Sequence, residues 1–171
     1  DAQLAVYQVF QKTSNWKYEI VDSQPEQFYE GELLFSMFSR LESMLQNSET
    51  INYSVTELFL KLIRLPHPAI YSYFLNTSQN FPPSFSTLKN SMLEVSQAVL
   101  EQSDEVLEFS EKLELVKQQM QQLDHISKYY SSNGIPPEEK EILTNTIIFE
   151  EFAKELMALL HSKTTQNILL R

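Results

Sequence analysis

The chain has 171 residues, enough for one domain that buries about 70% of its unfolded surface without a disulfide or metal staple. Thirteen Lys and Arg against 23 Asp and Glu give a net charge of −10, which repels phosphate backbones and anionic lipid surfaces and argues against nucleic acid as a partner. There is no cysteine, which excludes disulfide scaffolds, thiolate zinc sites and thiol nucleophiles and fits a reducing cytoplasm.

Two glycines in the whole chain leave little for tight hairpins or phosphate-cradling loops, so few turns and long helices are expected. The predicted class is all-α: an antiparallel helical bundle or a segment of an α-solenoid. Residues 1–27 form an N-terminal segment with mixed helical and extended signals. The helical domain is expected over 28–162, and a polar C-terminal tail over 163–171. The opening at Asp1, directly into an apolar-patterned stretch, predicts a piece of a longer protein. The longest apolar runs are too short to span a bilayer. The sequons Asn52-Tyr-Ser54 and Asn76-Thr-Ser78 have no signal segment before them and read as chance occurrences of a short motif.

After the break at Ser23-Gln-Pro25, Leu34, Phe38, Leu41 and Leu45, with Met37 and Met44 beside them, predict a helix over about 30–46. Ser54 and Glu57 have the spacing of a capping box, which places the next helix start there and Val55, Leu58, Phe59, Leu62 and Ile63 on its buried face. Pro66 stops that helix, because the residue before proline is driven out of the helical region, and Pro68 suits the first turn of another. Pro66, His67 and Pro68 thus form a structural corner, followed by a short helix over about 68–75.

The strongest periodic signal follows Pro82-Pro83. A 3-4 alternation runs through Phe85, Leu88, Met92, Val95, Val99, Gln102, Val106, Phe109, Leu113, Val116, Met120, Leu123, Ser127 and Tyr130, a seam suited to a coiled coil or a bundle spine and to self-association over 85–130. Gln102-Ser103-Asp104 interrupts it with a polar position and an N-cap signal, so helices are expected over about 85–101 and 105–130. Gly134 then supplies a turn, Pro136-Pro137 a new start and Glu138, Glu139 and Glu141 acid for the positive end of the helix dipole. The last helix, to about 162, is apolar on more than one stripe and is expected to be a central strut.

Residues 94–114 hold seven acids, Glu94, Glu101, Asp104, Glu105, Glu108, Glu111 and Glu114, against Lys112 alone. They read either as a face for a basic partner or, more simply, as a solvated helix surface. His67, His125 and His161 are far apart and lack the i, i+4 partner or preceding glutamate of a helical metal site. Glu150, Glu151 and Glu155 could be taken for an acid–base pair, but Lys154 beside them favours surface ion pairs. No nucleophile elbow, P-loop or dinucleotide fingerprint is present. The expected function is therefore non-enzymatic, with no cofactor, no metal and no catalytic residue. A secreted four-helix cytokine and a helical metal-carboxylate enzyme are the competing readings; missing cysteines and signal peptide count against the first.

Six short stretches carry a family resemblance. Phe28-Tyr-Glu-Gly31, Phe35-Ser-Met-Phe-Ser-Arg-Leu-Glu-Ser-Met-Leu45 and Leu58 through Leu65-Pro-His-Pro68, with Tyr73-Phe-Leu75, come first. Lys112-Leu-Glu-Leu-Val-Lys-Gln-Gln-Met120 and Ile148-Phe-Glu-Glu-Phe-Ala-Lys-Glu-Leu156 follow. In this order they resemble the FTS-and-Hook-interacting proteins, over about half the chain. Residues 1–27, the acidic segment near 101–110 and the tail after Ser162 depart from the pattern. The resemblance implies the C-terminal helical portion of an adaptor that joins FTS, a Hook protein and, on the membrane side, a Rab GTPase, linking vesicles and endosomes to dynein. It would be cytoplasmic and peripheral to vesicles through its partners. Among the matched residues, Glu150, Glu151, Lys154 and Glu155 are candidates for partner binding.

Overall fold

The computed structural model describes residues 31–65, 70, 73–74, 87–122 and 134–169. The described residues are all-α, with five helices and no strand: α1 (Glu32–Glu42), α2 (Glu49–Arg64), α3 (Leu88–Glu105), α4 (Phe109–Gln122) and α5 (Pro137–Leu169). The segment 1–27, the corner at Pro66, His67 and Pro68, the residues of 123–130 that continue the seam, and His125 lie outside them.

Gly31 stands at the N-cap of α1, where its φ of 87° suits a residue without a Cβ, and the helix buries Met37, Phe38 and Leu41. It ends at Glu42, earlier than its apolar stripe. Met44 and Leu45 continue that stripe from the loop, and both are buried.

Helix α2 begins at Glu49 with Ser48 at its N-cap, so the capping box at Ser54 and Glu57 does not form. Ser54 sits in the second turn with its hydroxyl donating to the Thr50 carbonyl at 2.9 Å, and Glu57 pairs with Lys61 at 2.7 Å. The buried face accordingly starts earlier and is more polar than expected: Asn52, Thr56, Phe59, Leu60 and Ile63. At the other end the proline rule holds: α2 stops at Arg64, and Leu65, the residue before Pro66, has ψ 131°.

Thr87 caps α3, accepting from the Asn90 N–H at 3.1 Å. The interruption of the long seam lies four residues later than Gln102-Ser103-Asp104. Gln102 and Ser103 remain helical, and the chain bends at Val106, Leu107 and Glu108, the last with φ 56°. The seam itself faces inward: Leu88, Val95, Val106 and Val116 are buried in this chain. Met92, Val99, Phe109, Leu113 and Met120 are half-buried and pack on the two apolar clusters described below. Helix α5 starts at Pro137 after Gly134 (φ 72°) and extends past 162 to Leu169. At 33 residues it is roughly 50 Å long.

The helices touch in a closed circuit: α3 on α1, α1 on α2, α2 on α5, α5 on α4, and α4 back on α3. Two apolar clusters fill it. The larger joins α1, α2 and α3 to the middle of α5 through Phe38, Phe59, Val95, Phe149 and Phe152. The smaller joins Val116 of α4 to Ile135, Leu143 and Ile147. Helix α5 runs through both, and seven consecutive residues, Leu143 to Phe149, are buried. That is why its apolar residues do not keep to one stripe. Phe59 is the hub of the larger cluster, with ring centroids 5.3 Å from Phe38, 5.9 Å from Phe74 (edge-on) and 6.1 Å from Phe152. Each such pair adds about 1 kcal/mol beyond area burial.

Candidate functional site

Glu150, Glu151, Lys154 and Glu155 occupy the middle of α5, and the structure gives each a partner of opposite charge. Glu150 meets Lys117 of α4 at 2.7 Å, Glu155 meets Arg64 at the end of α2 at 3.3 Å, and Glu151 meets Lys154 at 2.6 Å within α5. Two of the three pairs fasten α5 to its neighbours. Nearer the helix start, Lys112 and Glu139 join α4 to α5 again at 2.5 Å. The hydrogen bond to Glu151 chiefly raises the Lys154 pKa, with the charges of Glu151 and Glu150 adding to it against partial desolvation.

Between these links lies a groove bounded by α2, α4 and α5. Its floor is apolar, made by Leu60, Met120, Ile147, Ile148 and Phe152, and Tyr53, Glu151 and Glu155 stand at its edge. The enclosed part holds about 120 Å³. Past Met120 it widens to an open recess of about 370 Å³, with Lys117, Gln121 and Lys154 on its rim. Tyr53 is half-exposed there; burial first, and then the nearby Glu49 charge, push its phenol pKa above the ordinary 10.0. An apolar floor between paired charges can receive an apolar side chain of a partner. It does not have the arrangement of an acid and base, because each carboxylate faces a cation.

Beside the groove is a buried amide cluster that the sequence analysis missed. The Asn52 amide donates to Asn145 Oδ1 at 2.8 Å and to the Met44 carbonyl at 2.8 Å. Asn145 donates in turn to the carbonyls of Asn47, at 2.8 Å, and Leu45, at 3.3 Å. Asn47 donates to Asn52 Oδ1 at 3.0 Å and to the Arg40 carbonyl at 2.7 Å. The three asparagines are 5%, 1% and 0% exposed for Asn47, Asn52 and Asn145, and together they pin the loop between α1 and α2 to α5. Asn145 lies mid-helix between Thr144 and Thr146, a polar trio set between Ile142-Leu143 and Ile147-Ile148-Phe149, which is the one signal that could have found it. The burial of Asn52 also bears on its sequon: a glycan there would displace the cluster.

His161 is exposed on α5, while His67 and His125 lie outside the described residues. Among the described residues no three His, Asp or Glu side chains are grouped as metal ligands, and no helix is long and apolar enough to cross a membrane.

Comparison with known proteins adds two findings. A family of unknown function, DUF5917, matches residues 30–123, more than half the chain. The chain is also similar to the FHF complex subunit HOOK-interacting protein 1B. It is 39% identical to the Homo sapiens protein over 64 residues, 37% of this chain and 7% of the relative. It is 40% identical to the Rattus norvegicus protein over 58 residues, 34% and 7%. The Pongo abelii protein is 42% identical over 52 residues, 30% and 5%. The chain thus matches less than a tenth of the length of these relatives.

Proposed function

The chain belongs to the DUF5917 family, and from that premise we propose that it is a non-enzymatic scaffold segment of an adaptor complex of the FHF type. The observation that carries the reading is the similarity, at 39% identity over 64 residues, to a subunit named for that complex and for interacting with HOOK. The structure supports it in kind. The interior polar groups described above satisfy one another, the central carboxylates are ion-paired, and the groove beside them suits a protein side chain better than a reacting small molecule.

On this reading the chain is one portion of an α-solenoid. The rest of the protein supplies further helices, and FTS and a Hook protein are the partners. Through them it would sit at vesicles and endosomes and couple them to dynein, with a Rab GTPase read by this portion or another. Glu150, Glu151, Lys154 and Glu155 are proposed as the charged edge of the docking groove. Their ion pairs would be exchanged or extended when a partner binds.

The experiment is a pull-down of FTS and of Hook C-terminal fragments by the full-length protein, with and without residues 28–160 of this chain. The deletion is expected to abolish capture of at least one of them. Capture of both at undiminished levels would remove the role proposed.

A further inference from the structure

Helix α3 spends one face on the seam. The opposite face is also patterned. Leu93 and Leu100, seven residues apart and two helical turns along, are 51% and 65% exposed, and Leu107 in the bend that follows is 78% exposed. Each is followed by a glutamate, Glu94, Glu101 and Glu108, and Asp104 and Glu105 add to the row; all five acids are exposed. None of the five has an ion-pair partner among the described residues. Of the nearby bases on α3 and α4, Lys112 and Lys117 are held by Glu139 and Glu150 of α5, which leaves Lys89 alone at the start of α3.

A solvated helix surface accounts for the acids, since charge runs of this kind usually only solvate. It does not account for leucines at a seven-residue interval among them. Singly exposed leucines are ordinary, but Leu93 and Leu100 lie on one line of the helix two turns apart, with Ser96 and Gln97 between them, as apolar residues at one heptad position do. Leucines at one heptad position, bordered by uncompensated carboxylates, match one partner chemistry: a helix with its own apolar stripe between rows of lysine or arginine. A second copy of this chain would bring the same acidic rows together, and anionic membranes are repelled by them.

We propose that the outer face of α3, centred on Leu93 and Leu100, docks a basic amphipathic helix of another protein. This face is separate from the groove on α5, and the inference does not depend on the partners proposed for that groove.

The probe is a synthetic peptide of leucine and lysine alone, with leucine at the a and d positions of three heptads. An isomer of the same composition with leucine spread around the helix serves as its control. Binding to the 171-residue chain is measured by fluorescence anisotropy at several salt concentrations. The patterned peptide is expected to bind at least about tenfold more tightly than the isomer, and Leu93→Ser with Leu100→Ser is expected to remove most of that difference. Glu94→Gln, Glu101→Gln and Asp104→Asn together should weaken binding and flatten its salt dependence. Glu138→Gln with Glu141→Gln, at exposed acids on α5, should leave it unchanged. Glu94→Lys with Glu101→Lys should transfer the preference to a peptide of leucine and glutamate in the same pattern, a gain that loss of folding cannot imitate. Equal binding of the two isomers, or full binding by the leucine variant, would show charge attraction alone and overturn the proposal. So would a dimer in sedimentation that the leucine variant dissolves, since the occupant would then be a second copy.

Discussion

Asn52 of α2 donates its side-chain amide to Asn145 Oδ1 of α5 at 2.8 Å, across 93 residues of sequence and with both side chains buried. Asn145 passes the link on to the carbonyls of Leu45 and Asn47, so one amide pair sets the α1–α2 loop and the α2–α5 contact together. A buried polar network stabilises when every member is satisfied and costs most when one is removed.

Asn145→Ala should therefore destabilise by about 3 kcal/mol, since it strands a buried amide donor and two loop carbonyls. Asn52→Ala should cost a similar amount. Because the two share partners, the double variant should be less destabilised than the sum, by about 1–2 kcal/mol. Urea unfolding of the four species measures this. Strict additivity would mean that the 2.8 Å contact carries no coupling.

How much of this could be read from the sequence depended on whether a residue's role was local. Helix α5 announced its start through Gly134, Pro136 and Pro137 and its first-turn acids, all signals that act within a few residues. The inward seam on α3 and α4 was legible because periodicity is set by helix geometry alone. The start of α2 was not, because Ser48 makes no side-chain cap hydrogen bond while Ser54 and Glu57 imitate a box they do not form. Nor was the bend after α3. Its polar Gln102 and Ser103 stay helical by bonding to Glu105 and to the Leu100 carbonyl, whereas Glu108 takes a positive φ with nothing in the sequence to mark it. The asparagine cluster is assembled from two distant segments, and asparagine read locally suggests turns and surfaces. The four α5 candidates were located correctly on one helix, but their pairing with Lys117 and Arg64 depended on which helices α5 lies between.

Glu108 is the one described non-glycine residue with positive φ, at 56°, where a Cβ crowds the following carbonyl at a cost of about 1–2 kcal/mol. Glycine relieves that crowding but loses more entropy on folding. Glu108→Gly should thus stabilise by a net amount of about 0.5–1 kcal/mol, seen as a higher Tm. A lower Tm would show that the glutamate side chain contributes more than its backbone costs.

Tyr53, at the groove edge, should ionise later than a free tyrosine. Its raised pKa means that the folded chain holds this proton more tightly than the unfolded chain. The associated stability is therefore full below the ordinary value of 10.0 and is lost as pH rises through the higher folded value. The phenolate absorbance of the native chain minus that of Tyr53→Phe isolates this one group among the eight tyrosines. Glu49→Gln should move the step back only in part, because burial is the larger cause. A difference curve centred at the ordinary tyrosine value would contradict the groove geometry.

The links between α4 and α5 should behave differently from the ion pairs on open surface. The side chains of Lys112 and Glu139 are 20% and 30% exposed, and those of Lys117 and Glu150 28% and 35%. Lys61 and Glu57 on α2 are 63% and 66% exposed. Screening by water leaves exposed pairs with about 0–1 kcal/mol, and partial burial moves a pair toward the top of that range. Double-mutant cycles with Lys112→Met and Glu139→Gln, and with Lys117→Met and Glu150→Gln, should each return about 1 kcal/mol of coupling. The same cycle on Lys61 and Glu57 should return less coupling than either, because water screens an exposed pair, and that coupling should vanish first as salt is added. Helix α4 meets α5 through the smaller of the two apolar clusters, so loss of both clamps should loosen α4 before the rest. Hydrogen exchange would then rise in 109–122 while 52–63 stays protected. Uniform loss of protection along the chain would show instead that the two clusters unfold as one unit.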